Sequence, residues 1–307
     1  MSAATVDRGV SRPRRRGTSE RGDRIAYALL IPWFIGMLFT LIPFGISLYL
    51  AFTDYDLLTS PNWVGLDNFR EFISDPKAAT AARVTLTYTF VAVPISLVVA
   101  LGVALLLNRG VRGLRFYRSA FYLPSLIGAS VAVVMLWRSI FGYAGIVNQV
   151  LAWFGIQGPG WTTDPDWALM TLVTLSVWGF GAAMVIFLAG LRQIPRMYYE
   201  AASVDGAATV RQFLSITLPL LSPVLFFNLV LGLIGSLQTF TQAYVFSGGT
   251  GGPADSTLFF NLYLYIQGFQ RFDMGYASAL AWVMFIVIAA FTALNFLVSK
   301  RWVFYDD

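Results

Sequence analysis

The chain has 307 residues, of which 57% are hydrophobic and 12% charged, with a mean hydropathy of +0.66 and a formal charge of +5. A soluble protein of this length covers its surface with far more charge, so the composition is that of a membrane protein. With no cysteine and no histidine, the chain cannot form disulfides, thiolate or imidazole metal sites, cysteine nucleophiles or serine–histidine relays, and neither a metal site nor a cofactor is expected.

In chain order, residues 1–24 are rich in Arg, Ser and Gly with almost no large apolar residue, which predicts a disordered basic tail. The apolar run that follows is far longer than the 7 to 15 residues of a signal-peptide core, and no small-residue cleavage site comes after it, so no cleavage is expected. Because a bilayer core needs about 20 apolar helical residues to cross it, six runs qualify as spans: 25–52, 84–107, 119–141, 168–191, 219–240 and 277–297. Only Arg138 intrudes, near one end of the third. The expected fold is an all-α integral membrane protein with six transmembrane helices over residues 25–307 and a cytoplasmic loop at 193–218.

Orientation follows from the Lys and Arg count by loop, since short basic loops stay in the cytoplasm. Sixteen of the 21 basic residues fall on one side: seven in the tail, then Arg109, Arg112, Arg115 and Arg118, then Arg192, Arg196 and Arg211, then Lys300 and Arg301. Arg70, Lys77, Arg83, Arg138 and Arg271 fall on the other. Both termini are therefore expected inside. The outer loops 53–83 and 142–167 carry Asp54, Asp56, Asp67, Glu71, Asp75, Asp164 and Asp166. The basic residues sit in short clusters between apolar runs and form no basic face on a soluble domain, so no nucleic-acid partner is expected.

The chemistry missing from the membrane is informative. Carriers coupled to protons or sodium commonly place an ionisable group inside the bilayer, and the six spans contain no Asp, Glu or His. Sodium sites built from carbonyls and hydroxyls stay open; a proton relay does not fit. Nor is there a GxxxxGK[ST] phosphate loop: Gly248, Gly249, Gly251 and Gly252 are followed by Pro253, with no lysine to reach a phosphate. Energy is expected to enter from outside the chain.

The loop between spans four and five carries the most specific pattern. Pro195 can start a helix, residues 197–205 continue it, and Gly206 stops it. Tyr198, Ala201 and Ala202 share one face, with small alanines that permit close approach. After Gly206, Val210, Phe213 and Leu214 form a second apolar stripe leading into Pro219. Read from the residues alone, this is a helix–turn–helix that either docks into a protein cleft or lies on the membrane surface as an amphipathic linker.

The stretch Glu200-Ala201-Ala202, three residues, Gly206, nine residues, Ile216, one residue, Leu218-Pro219 matches the signature loop of binding-protein-dependent ABC importer permeases at every defining position. Four further stretches resemble the carbohydrate-uptake branch of that family, of maltose and glycerol-phosphate type: Gly65-Leu66-Asp67-Asn68-Phe69, Phe121-Tyr122-Leu123-Pro124, Gly251-Gly252-Pro253 and Gly275-Tyr276-Ala277-Ser278-Ala279. The resemblance covers residues 31–304. It implies the type I permease fold in a bacterial cell membrane and no enzymatic activity in this chain. The implied partners are a homologous second permease subunit, two ATPase subunits and an extracytoplasmic solute-binding protein.

The resemblance further implies that the signature loop is a coupling helix docked in the ATPase, with Glu200, Ala201, Ala202, Asp205 and Gly206 at the contact. Uncharged donors and acceptors at the end of span five, Ser236, Gln238 and Thr239, suit sugar hydroxyls, with Trp178 as a stacking plate. Similarity to maltose-type permeases places Ser125, Trp178, Gly179, Ser236 and Thr239 at substrate-contacting positions. Ordinary helix packing is the competing reading for each, because Ser, Thr and Gly are common at helix interfaces in membranes. Disaccharides, oligosaccharides and glycerol phosphate are all carried by this type of permease. A neutral sugar is favoured, since no basic residue lies deep in a span. The competing classes are a self-sufficient carrier or channel, and a membrane enzyme, which the lack of His, Cys and any intramembrane acid pair disfavours.

Overall fold

The structure is a computed structural model and describes residues 20–304 apart from 111 and 129. The predicted tail through residue 19 and the last three residues lie outside the described residues. Secondary structure among the described residues is helical, with one isolated antiparallel bridge between Thr53 and Trp63. The chain divides into two units, Met1–Tyr49 and Leu50–Asp307.

The first unit holds all but the last residue of α1, Glu20–Leu50, with Pro32 and Pro43 inside the helix. Its segment Leu29–Leu50 is long and apolar enough to cross a membrane.

In the second unit, α2 (Asp67–Ser74) leads through Asp75 into α3 (Pro76–Asn108). Helix α3 begins eight residues before the apolar run does, for a local reason. The Asp75 carboxylate accepts from the Lys77 N–H at 2.8 Å, and Pro76 occupies the first helical position, where a missing N–H costs nothing. Span three is two helices, α4 (Leu114–Ile127) and α5 (Val131–Ile140), bent by 100°. After α6 (Ile146–Trp153), span four is also a pair, α7 (Pro165–Trp178) and α8 (Gly181–Gln193), bent by 43°. Then come α9 (Arg196–Val204), α10 (Thr209–Gln212), a π-helical turn at Phe213–Thr217 and α11 (Leu218–Leu237). The unit ends with α12 (Thr241–Ser247), α13 (Phe260–Tyr265), a second π turn at Ile266–Gln270 and α14 (Met274–Ser299).

Among the described residues four helices are long and apolar enough to span a membrane, and the two bent pairs bring the number to six when each is one span. The sequence predicts six unbroken runs; hydropathy registers composition and is blind to the breaks after Ile127 and Trp178.

Helix α3 is the hub, packed against α7, α8, α11 and α13. Ala78, Ala81, Ala92, Ala100 and Ala104 are fully buried along it, because small side chains let membrane helices approach closely where water supplies no driving force. One core cluster gathers the N-terminal part of α3 with α7, α13 and α14, including Tyr88, Phe259 and Tyr276; a second joins its C-terminal part to α8 and α11 through Leu97, Met184, Phe187 and Leu221.

The N-terminal end of α3 is laced by polar ties. Asp75 accepts hydrogen bonds from the hydroxyls of Tyr263 and of Tyr276 (2.8 Å), joining α3 to α13 and α14. Asn68 donates to the carbonyls of Ala51 and Thr53 at 3.0 and 2.9 Å.

Candidate functional site

Two groups of residues were singled out by the sequence, and they lie on different elements. The first is the corner between α9 and α10. Pro195 precedes α9, and the helix closes on a Schellman arrangement: the Gly206 N–H donates to Ser203 O at 3.1 Å and the Ala207 N–H to Ala202 O at 2.9 Å. That closure requires a left-handed residue just past the cap, and Gly206 has φ +75°. A Cβ built on Gly206 would meet nothing within 4 Å. Within the chain, then, glycine is needed for its backbone conformation and not for close approach.

The corner presents one side and fastens the other. Glu200, Ala201 and Asp205 are exposed and Ala202 half-buried. Near them in sequence Met197, Val204 and Val210 are 66%, 89% and 70% exposed, so the corner offers apolar side chains and two carboxylates to a partner. On the opposite side the Tyr199 hydroxyl meets the Thr217 hydroxyl at 2.9 Å, and the Gln212 amide donates to Ser203 Oγ and Ala207 O, both at 3.0 Å. These bonds fasten α9 to α10 and to the π turn that opens α11. Sequence reasoning missed them, because partners nine and eighteen residues apart leave no local pattern.

The second group lies at the ends of α7 and α11. Trp178 closes α7, its ring 5.7 Å from that of Trp137, and Gly179 occupies the break before α8. Ser236 is buried and donates to Thr89 Oγ1 at 3.1 Å and to Leu233 O at 3.1 Å. Thr239 is buried and Gln238, which caps α11, is exposed. The Tyr88 hydroxyl, itself buried, faces the hydroxyls of Ser176 and Thr239. Tyr88 and Thr89 of α3 thus bring the end of α7 and the end of α11 together; the sequence reading passed over both because they sit inside an otherwise apolar run. Ser125 stands on α4, half-buried, with its hydroxyl on Tyr122 O at 2.6 Å. That bond stays within α4 and does not reach the Tyr88 group. Among those residues no set of acidic side chains could hold a metal ion.

A family described as the binding-protein-dependent transport system inner membrane component matches residues 77–303. The chain belongs to this family. A probable ABC transporter permease protein, YesP, from Bacillus subtilis (strain 168) is 51% identical over 95% of this chain and 96% of its own length. The lactose transport system permease protein LacF of Rhizobium radiobacter is 35% identical over 77% of this chain and 81% of its own. Among solved structures, a bacterial alginate ABC transporter in complex with an alginate pentasaccharide-bound periplasmic protein contains a chain that superposes with a TM-score of 0.78 at 24% identity. That likeness covers 92% of this chain and 96% of that one, and it shows the fold.

The protein is accordingly a multi-pass membrane permease subunit of an ABC importer, and ATP hydrolysis belongs to a separate subunit. In this permease the Glu200–Gly206 corner is an exposed, stiffened knob, and the Tyr88 group is a seam of hydroxyls between helices.

Proposed function

We propose that this permease carries a neutral di- or oligosaccharide into the cell, together with a homologous permease subunit, two ATPase subunits and an extracytoplasmic binding protein. The observation that carries the reading is the corner at α9: a helix fastened to the span behind it and offering exposed Met197, Ala201 and Val204 together with Glu200 and Asp205. Exposed apolar side chains accompanied by charges suit docking into a protein cleft, and a bond to the π turn opening α11 suits transmission of a rigid-body movement. Both termini are assigned to the cytoplasm, on the sixteen-to-five basic asymmetry.

Sugar as the substrate class is supported by the lactose system relative and by the chemistry of Ser125, Trp178, Gly179, Ser236, Gln238 and Thr239, which we assign to the translocation path. They supply uncharged donors and acceptors and one large ring, with no cation to hold a phosphate; the guanidinium of Arg138 is already engaged with Val245 O at 3.0 Å. Glycerol phosphate is the second reading within the same class.

The test is reconstitution with the partner subunits and loaded binding protein. Transport should require ATP, and the chain alone should carry nothing. Sugar flux through this chain by itself would sink the coupling claim; flux of a glycerol phosphate but no sugar would leave the coupling and overturn the substrate.

A further inference from the structure

Helix α11 carries Pro223 in its interior, and a proline has no N–H to give the carbonyl four residues before it. That carbonyl belongs to Pro219, and the Ser222 hydroxyl serves it instead, donating to Pro219 O at 2.6 Å. The hydroxyl oxygen can still accept, and it receives the Phe304 N–H at 2.8 Å, from a residue 82 positions further along the chain. Ser222 is 2% exposed. One buried hydroxyl therefore both repairs the proline defect and holds the C-terminal segment on α11.

The segment is shaped to reach it. Beyond α14 the Trp302 and Val303 N–H groups both donate to Ser299 O, at 3.1 and 2.8 Å, which turns the chain, and the Trp302 ring lies 6.2 Å from that of Phe226, one helical turn past Ser222. Phe304 then closes a groove of about 270 Å³ whose other walls include Pro223 and Val224 of α11 and Ile194, Pro195 and Tyr198 around the start of α9. Thr217, whose hydroxyl meets that of Tyr199 on α9 at 2.9 Å, precedes Ser222 by about 7 Å of helix. The start of α11 is thus tied to α9 at one point and to the chain beyond α14 at the next.

We propose that Ser222 is a positioning residue for coupling and acts through the Phe304 backbone. A helix bends where a proline removes its bond, so without the tie a push from α9 is absorbed at Pro223; with it, α9, α11 and α14 move as one block. A serine that only repaired the helix would need the Pro219 carbonyl alone and would leave Phe304 out. The inference rests on the coupling role proposed above for the α9 corner.

The first readout is the number of ATP molecules hydrolysed per sugar moved by the reconstituted importer, which a loss of yield or stability alone does not move. S222A removes the hydroxyl and F304P the donor N–H; each should raise the ratio by up to about five-fold, the weight of one hydrogen bond. F304A keeps the N–H and loses a ring that is 53% exposed, so it should match wild type. S222A/F304P should be no worse than S222A, because both changes break the same bond. An unchanged ratio in F304P, equal damage in F304A and F304P, or additive damage in the double variant overturns the positioning role. If S222A fails to assemble, F304P against F304A decides. Hydrogen exchange over residues 300–304 of the assembled importer checks the tie without reference to transport: the Phe304 N–H should exchange about five-fold faster in S222A, and equal rates overturn the contact. A wild-type complex that moves no sugar overturns the transport reading and with it the coupling role, while the exchange rates still decide the tie itself.

Discussion

Replacing Gly206 with valine separates conformation from space at the coupling corner. The residue has φ +75° and an open surround within the chain, so the valine side chain meets no neighbour there, and its penalty is that of a β-branched residue held in the left-handed region, about 1 to 3 kcal/mol. If the backbone escapes by flipping, the 3.1 and 2.9 Å closing bonds to Ser203 O and Ala202 O are lost, at about 0.5 to 1.5 kcal/mol each. Either route costs roughly 2 kcal/mol locally, enough to fray α9 without unfolding a chain whose core lies elsewhere. In the reconstituted importer, Gly206→Val should lower co-purification of the ATPase or its stimulation by loaded binding protein. Gly206→Asn, which tolerates the left-handed region, should recover much of the loss. A valine variant with normal assembly and stimulation would refute the role of the corner. An asparagine variant as damaged as valine would refute the conformational account and require space for a partner instead.

Glu200→Ala should be milder than Gly206→Val in the same assays, because an exposed ion pair across an interface is worth about 0 to 1 kcal/mol. Tyr199→Phe deletes the bond to Thr217 and should raise the number of ATP molecules hydrolysed per sugar moved while leaving assembly intact; an unchanged ratio would show the strap to be idle. Thr239→Val keeps the buried shape and removes the hydroxyl, so transport rate or sugar preference should change with basal ATPase unaffected, and no change there or in Ser236→Ala and Trp178→Phe would remove these residues from the path. At the start of α3, burial pulls the Asp75 carboxyl up, but the hydroxyls of Tyr263 and Tyr276 and the N–H groups of Lys77 and Ala78 outweigh it and hold it below the ordinary value of 3.8. Its stabilisation is thus present above that value and lost as pH falls through the lower folded value, so the gap in thermal stability between wild type and Asp75→Asn should be constant near neutrality and close only in that acid window; a gap that closes near pH 6 would point to another group.

Much of this architecture is legible in the amino-acid sequence. The predicted helix at 197–205 lies one residue from the observed Arg196–Val204, since proline and glycine punctuate it on both sides. The long spans announce themselves by composition. Helix α3 starts eight residues before its apolar run and α7 three, and a local signal marks both starts: Asp75-Pro76 and Asp164-Pro165 each place a capping carboxylate before a proline at the first helical position, and Asp164 accepts from the Asp166 N–H at 3.0 Å. The ties that organise the sites have no such signal. Asp75 meets Tyr276 across 201 positions, and Ser236 meets Thr89 across 147; only the packed helices bring these pairs together.

The stretches that resemble the carbohydrate branch divide by physical task, and that division bears on how substrate is chosen. Asn68 holds the Ala51 and Thr53 carbonyls, Tyr276 holds Asp75, and Phe121 backs directly onto Gly181. These residues fasten helices to one another, so they mark a scaffold more than a sugar. The residues assigned to the path are few and uncharged, and Ser125, Ser236 and Thr239 among them each hold a neighbouring backbone or hydroxyl group. What must not vary is the rod between the two sites. From Thr209 to Leu237 the helical segment runs 29 residues, about 43 Å at 1.5 Å per residue, with the Tyr199–Thr217 bond near one end and Ser236 at the other. On the coupling proposed above, a displacement of α9 would be delivered to the hydroxyl seam along this one element, with the π turn at Phe213–Thr217 as the place where its direction could be adjusted.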